Sequence, residues 1–215
     1  PCLRRAAGFG PLYVQKPFYP EGDVCHVYLL HPPGGIAGGD DLSVQISVDP
    51  DADTLITTPA ATKFYRSEEQ PATLNQTLSV ADGGALEWLP GETIFFGGTR
   101  AAMRTRIELA AGARFIGWDA MCLGRSASGD HYDHGEAVSR LCVSRDGQPI
   151  LNERLALIAG DPIISAPWGL AGRSVLGMLV AQPADADTVR LLRAELGAQT
   201  DPSNTLPMGA ATLVD

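Results

Sequence analysis

The sequence predicts an all-β protein of layered, solenoid-like stacked antiparallel and mixed sheets, with one or two short helices. Three observations predict it. The dominant hydrophobic period is two residues, the signature of strands with one buried face. Clusters of Gly, Asp and Pro punctuate the strands at short intervals. A plan of alternating strand, small-residue turn and second apolar strand recurs at Leu42 to Thr58, Leu74 to Leu89 and Met103 to Asp119. Their turns are Asp49–Asp53, Ala81–Gly84 and Ala110–Ala113, and the following Leu55, Leu86 and Phe115 stand 31 and 29 residues apart. One such unit cannot bury its own apolar face, so near-equal spacing points to stacked layers. The same spacing also fits a simple β-meander.

Each element has its own signal. In Leu42–Val48 the residues Leu42, Val44, Ile46 and Val48 share one face, with Ser43, Gln45 and Ser47 on the other. Arg100–Leu109 alternates more sharply, with Met103, Thr105, Ile107 and Leu109 inward and Arg104, Arg106 and Glu108 toward water. Further strands are expected at Val24–Leu30, Leu55–Thr58, Leu74–Val80, Ala137–Val143, Leu151–Ile158 and Ser174–Ala181. One helix is expected after Asp187 as its cap, burying Val189, Leu192 and Leu196 and ending at Gly197.

Composition narrows the function. The 215 residues carry 45% apolar and 19% charged side chains, which suits a single core-forming domain. No run approaches the ~18 apolar residues of a membrane span, and no signal peptide is legible at the start, so the expectation is a cytoplasmic protein. A net charge of −9 argues against nucleic acid, whose phosphates need clustered cations. The four cysteines, Cys2, Cys25, Cys122 and Cys142, have neither zinc-module nor disulfide-framework spacing and read as reduced, packed thiols.

Four segments invite a chemical reading. His31–Asp41 is glycine-rich and follows a strand, yet no Gly-Lys-Ser/Thr follows, and Asp40 and Asp41 would repel a phosphate. A stiff, close-packed loop built by Pro32, Pro33, Gly34, Gly35, Gly38 and Gly39 is the better reading. A carboxylate at its end, Asp40, could meet a cation. His131-Tyr132-Asp133-His134 is the densest group of metal ligands and would serve a metal-dependent hydrolase, but its setting between Gly129 and Gly135 suggests a solvated hairpin end. Thr57–Ser67 sets Lys63 and Arg66 around Phe64 and Tyr65, which suits either a partner contact or an ordinary amphipathic segment. No Gly-x-Ser-x-Gly elbow or triad context exists, so no catalytic residue is assigned. Finally Glu87, Asp119 and Glu153 are acids set among apolar neighbours, and a buried carboxylate needs a partner or a role. With Asp40 they could line an interior polar path for a divalent cation.

The strings HPPGGIAGGD (31–40), TTPAATKFYRS (57–67), LEWLPGETI (86–94), GWDAMCLGR (117–125) and DGQPILNERL (146–155), with GPLYVQKPFYPEG (10–22) upstream, together resemble the UreD (UreH) family of urease accessory proteins. The resemblance covers roughly Gly10 to Ala181. It implies a layered, β-rich, non-catalytic scaffold that assembles with UreF, with the GTPase UreG and with apo-urease, a homodimer within the accessory complex being one arrangement it allows. It also implies no tightly bound cofactor, but Ni²⁺ in transit through an internal water-filled route. Carried over by motif, Asp40, Asp119 and Glu153 are the acids of that route, with Thr62 and Ala61 beside it. Oxygen ligands suit a cation that must move on, whereas thiolates and imidazoles would trap it. Ala61 stands where a polar lining residue is expected. Relative to the family pattern, the resemblance implies one domain over 1–215 lacking some N-terminal and C-terminal segments.

Overall fold

Each predicted repeat is one coil of a solenoid rather than a hairpin. The computed structural model describes residues 2–198 and 209–214. In chain order the strands are β1 (Tyr13–Val14), β2 (Cys25–Leu30), β3 (Asp41–Val48), β4 (Asp53–Thr57), β5 (Thr62–Phe64), β6 (Ala72–Val80), β7 (Ala85–Leu89), β8 (Thr93–Phe95), β9 (Arg100–Leu109) and β10 (Arg114–Leu123). A 3₁₀ turn (Ser126–Ser128) leads to β11 (Glu136–Arg145) and β12 (Gln148–Ile158), and helix α1 (Pro162–Ser165), β13 (Val175–Gln182) and helix α2 (Ala186–Ala198) follow.

The turns expected at Asp49–Asp53, Ala81–Gly84 and Ala110–Ala113 carry the chain from one sheet to the other. The two halves of each repeat therefore face each other across the core instead of pairing. Pairing runs between coils and is parallel: β3 with β6, β6 with β9 and β9 with β11 in one sheet, β2 with β4, β4 with β7 and β7 with β10 in the other. The corners stack as well, since Ala81 N–H donates to Val48 O at 3.0 Å and Ala110 N–H to Val80 O at 3.0 Å. Antiparallel pairing closes the far end, where β12 lies on β11 and β13 on β10.

The five-stranded sheet, β12-β11-β9-β6-β3, is continuous. Its register lines up Ile46, Leu78, Ile107 and Val143 in one inward row, and Val48, Val80 and Leu109 in the next. Leu78 and Val143 are at most 1% exposed. The eight-stranded sheet is broken across its middle. β10 runs unbroken, pairing with β7 through Gly117 and with β8 from Met121. Between these two contacts the chain leaves the sheet through Pro90–Glu92, and Thr58–Ala61 makes the same detour one coil earlier. A proline supplies no donor to a ladder, so Pro59 and Pro90 enforce the interruption.

Two details correct the sequence reading. Leu55 does not stack on Leu86: its register partner is Glu87, and Thr54 lies against Leu86, which in turn stacks on Phe115. The first coil is longer, with Asp53 opposite Ala85 and Ala85 opposite Arg114, coil lengths of 32 and 29 residues. The inward residue of β4 is therefore Ile56, 6% exposed. Helix α2 begins earlier than expected and is capped by Asp185, whose carboxylate accepts the Thr188 N–H at 2.7 Å. The helix continues through Gly197 to Ala198, and it buries Val189 while Leu191 and Leu192 stay exposed.

Candidate functional site: an interior cavity crossing the coils

Where one sheet is broken and the other is not, the two cannot close completely. A cavity of about 330 Å³ remains between them. It crosses the stack of coils, from Leu29 of β2 and Val44 of β3 at one side to Met178 of β13 and Leu141 of β11 at the other. Most of its wall is apolar, but a polar band crosses it: Gln76 and Thr105 from the continuous sheet, Ser139 beside them, and Thr58, Thr62 and Thr93 from the broken one. Gln76 and Thr105 occupy one inward row of the register, between Val44 and Leu141. The Gln76 amide donates to Thr105 Oγ1 at 3.5 Å, a long contact.

Asp119 is the carboxyl of this cavity. It follows from the alternation of β10, where Phe115, Gly117 and Met121 face the core and Asp119 falls in the same row. It stands at the gap between β7 and β8. Among the described residues its side chain has no hydrogen-bond or ion-pair partner. Burial without a partner disfavours the charged form and pushes its pKa up from 3.8 to about 6. Most buried acids in folded proteins are paired; this one opens only onto the cavity.

Glu153 faces a second, smaller space at the end of the stack. On β12 it lies opposite Leu141, so it turns inward while its neighbours Asn152 and Arg154 turn out. It lines a recess of about 30 Å³ together with Asp119, Ser139, Leu141 and Met178, all four of which also line the larger cavity. As β12 is an edge strand, Glu153 is exposed as a residue. Asp119 thus lines both spaces, and the smaller recess brings Asp119 and Glu153 together. Thr62 lines the large cavity, and so does Ala61.

Asp40 is placed differently. Its carboxylate accepts the Ala37 N–H at 2.8 Å and tightens the glycine loop, leaving the residue exposed and outside the cavity lining. The loop itself reaches the cavity through His31, Pro32, Gly34 and Ile36. Burial holds the His31 pKa below its usual value, and the negative charge of Asp40 partly opposes this. The glycines work in two ways. Gly34 and Gly39 have φ of 77° and 88°, which L side chains rarely adopt. At Gly35 and Gly38 the backbone passes so close to Tyr65 and Ser67 that a Cβ would fall 2.4 Å and 2.1 Å from them. Glu87 lies on the outward face of its sheet, opposite Ile116, and takes no part.

The His131–His134 turn does not gather a metal site. Tyr132 anchors it, with its ring buried and its hydroxyl donating to Leu157 O at 2.9 Å. His131, Asp133 and His134 are left on the surface. Among the described residues no three His, Cys, Asp or Glu side chains come together. Nearby Asp130 resists burial by accepting N–H bonds from Gly97 and Tyr132 and pairing with Arg125, which holds its pKa below the usual carboxylate value. All four cysteines are free thiols. No helix among the described residues is long and apolar enough to cross a membrane.

Alternation turns Thr105 inward, but a reading of single strands gives Gln76, Thr105 and Ser139 no common role, because each is one polar residue in an otherwise apolar alternation. Aligning the repeats would reveal them, since Gln76 and Thr105 stack at one position of successive coils.

The family model described as UreD urease accessory protein matches residues 2–215. A urease accessory protein UreD from Alkalilimnicola ehrlichii is 50% identical over 183 residues, which is 85% of this chain and 62% of that protein. The corresponding protein of Alcanivorax borkumensis is 44% identical over 96% of this chain and 69% of its own length. That of Klebsiella aerogenes is 45% identical over 94% of this chain and 74% of its own length. The chain thus spans between 62% and 74% of the length of these relatives, less than two thirds of the first.

Proposed function

This chain belongs to the UreD family of urease accessory proteins, and we propose that it serves urease maturation by passing nickel ions through its interior cavity. The observation that carries this reading is Asp119: an inward carboxyl without a partner among the described residues, facing a space crossed by hydroxyl and amide groups. A carboxylate kept unpaired in a partly apolar interior loses solvation, and a divalent cation is a natural transient partner. With a pKa near 6 it is mostly ionised at neutral pH, yet a passing ion must compete with a proton for it. The polar band beside it offers weakly binding hydroxyl and amide oxygens, which lets a cation step along without being trapped.

In this reading Glu153 takes the ion in the recess at the edge of the stack and Asp119 at the gap between β7 and β8, with Thr62 and Ser139 beside the path. Asp40 acts at the loop end as a surface carboxylate that tunes His31. The protein is a non-catalytic cytoplasmic component that holds nickel only in transit, as part of an assembly with UreF, the GTPase UreG and apo-urease, and a homodimer is one form such an assembly can take. Urease activation tests it. With Asp119→Asn and Glu153→Gln, the accessory assembly and its contact with apo-urease should form normally while the nickel content of the urease falls. Full nickel loading by both variants, singly and together, removes the cavity from the pathway.

A further inference from the structure

The outward face of the five-stranded sheet carries a feature that ion passage does not use. Register places Arg104 of β9 directly opposite Arg140 of β11, and Arg140 directly opposite Arg154 of β12. Arg106 follows two residues along β9, opposite Cys142. All four arginines are exposed. Adjacent strands lie about 4.8 Å apart, so the row of three spans only about 10 Å. Like charges set opposite each other repel and cost stability.

Nothing in the described chain neutralises this row. The only side-chain hydrogen bond from it is Arg104 to Asn75 Oδ1 at 3.4 Å, and no carboxylate lies within ion-pair distance of Arg104, Arg106, Arg140 or Arg154. The acids on the same face are engaged elsewhere: Glu136 with Arg100, Glu108 with Ser79, and Asp41 with Thr73 and Asn75. The chain has 25 acidic against 16 basic residues. A concentrated, unpaired row of arginines on one flat face therefore opposes the overall composition.

We propose that this arginine row is a docking face for a protein surface bearing a matching row of carboxylates, and that the surface belongs to the urease apoprotein. The choice of partner rests on the function proposed above; the acidic chemistry rests on the row. Guanidinium groups engage carboxylates through two parallel hydrogen bonds, giving register as well as charge. Both cavities lie on the inner side of the sheets, so the face suits a macromolecular surface and not a small ligand. A net charge of −9 disfavours a polyphosphate backbone but not a local carboxylate patch. Position supports the pairing too. Arg154 points out from the same edge strand on which Glu153 points in, so a partner seated on the row is brought beside the rim of the recess.

The test is binding of purified urease apoprotein to this chain at 50 and 300 mM NaCl. Wild-type affinity should fall about 10-fold between the two salts, as for charge-steered docking. R104E/R140E/R154E should bind on the order of 100-fold more weakly at low salt and lose the salt dependence, while R104K/R140K/R154K keeps that dependence. Thermal unfolding of both variants should stay close to wild type, because the three side chains are exposed and each variant keeps a row of like charges; if the reversal variant misfolds, Arg140→Gln alone should still weaken binding several-fold. Unaltered binding by a folded charge-reversal variant overturns the docking face and leaves the nickel reading intact. Absence of any wild-type binding to apo-urease brings down both. A salt-sensitive self-dimer or binding of a 20-base-pair DNA through the same arginines, with apo-urease bound elsewhere, overturns the proposal as well.

Discussion

The two sheets of this protein are made by the same coils and yet differ in kind. In the five-stranded sheet every coil contributes one strand in continuous register, and the inward rows meet as a tight core around Leu78, Val80 and Val143. In the eight-stranded sheet two coils contribute pairs of short strands, β4 with β5 and β7 with β8, each pair separated by a proline-bearing detour, and β10 bridges the gap. The first sheet is a wall and the second a wall with a slot. The difference teaches that the cavity is specified by backbone chemistry: no large side chain was removed to make it, and the ladder was interrupted instead.

The sharpest test of this contrast is to truncate both sides of the core. Leu78→Ala, in the closed part, should cost about 3 kcal/mol, because a fully buried side chain leaves a hole its neighbours cannot fill. Leu74→Ala, four residues earlier on the same strand but lining the cavity, should cost perceptibly less, since its neighbours already face open space. Chemical denaturation of both variants checks this, and equal costs would mean that the cavity wall is packed as tightly as the core.

Removing the charge of the slot comes next. The folded-state pKa of Asp119 lies above its ordinary value, so ionisation penalises the folded form. Below pH 3.8 the acid is protonated whether folded or not and there is no penalty. As pH rises from about 4 to about 6 the unfolded chain loses its proton first, so stability falls, and the penalty is complete above 6. Asp119→Asn is therefore expected to stabilise the protein by on the order of 2 kcal/mol at pH 7.5 and hardly at all at pH 4. Thermal unfolding across that range would show it; a pH-independent difference would place the carboxyl in water.

The seam of the slot gives a smaller effect. Thr58 Oγ1 accepts the Gly91 N–H at 2.9 Å and joins the two detours. Thr58→Val should cost about 1 kcal/mol and speed amide exchange at Gly91, with no change in the continuous sheet. Smallest of all is Arg114→Gln, which breaks the Arg114–Asp53 pair on the outer surface of the broken sheet. Both partners are largely solvated, and the change in melting temperature should be within error.

Much of the wall was legible in the sequence and little of the slot. Strand Arg100–Leu109 follows directly from its alternation, and the repeat spacing announced the layering. Periodicity cannot tell a hairpin from a coil, because both place apolar residues inward; that decision belongs to pairing across thirty residues. Strands β5 and β8 are three residues long, too short to show a period. The site divides along the same line. Asp119 and Glu153 stand out as acids among apolar neighbours, and the register turns both toward one space. Asp40 stands out equally but spends its carboxylate on its own loop, a local hydrogen bond that composition does not reveal. The one-residue offset between Leu55 and Ile56 came from a longer first coil, and a slip of one residue exchanges the two faces of a strand.

The late arrival of β13 sets a schedule for the growing chain. β10 ends at Leu123, but the strand that covers its free edge over eight residues is complete only at Gln182. At ordinary elongation rates of about 5–20 residues per second, several seconds pass before that cover is synthesised. During this interval the coils can stack in order from the N-terminal side, each on the one before, while the flank of β10 stays available to any other strand. A translational pause between the emergence of β10 and that of β13 would lengthen that exposure, and one after β13 has emerged would not.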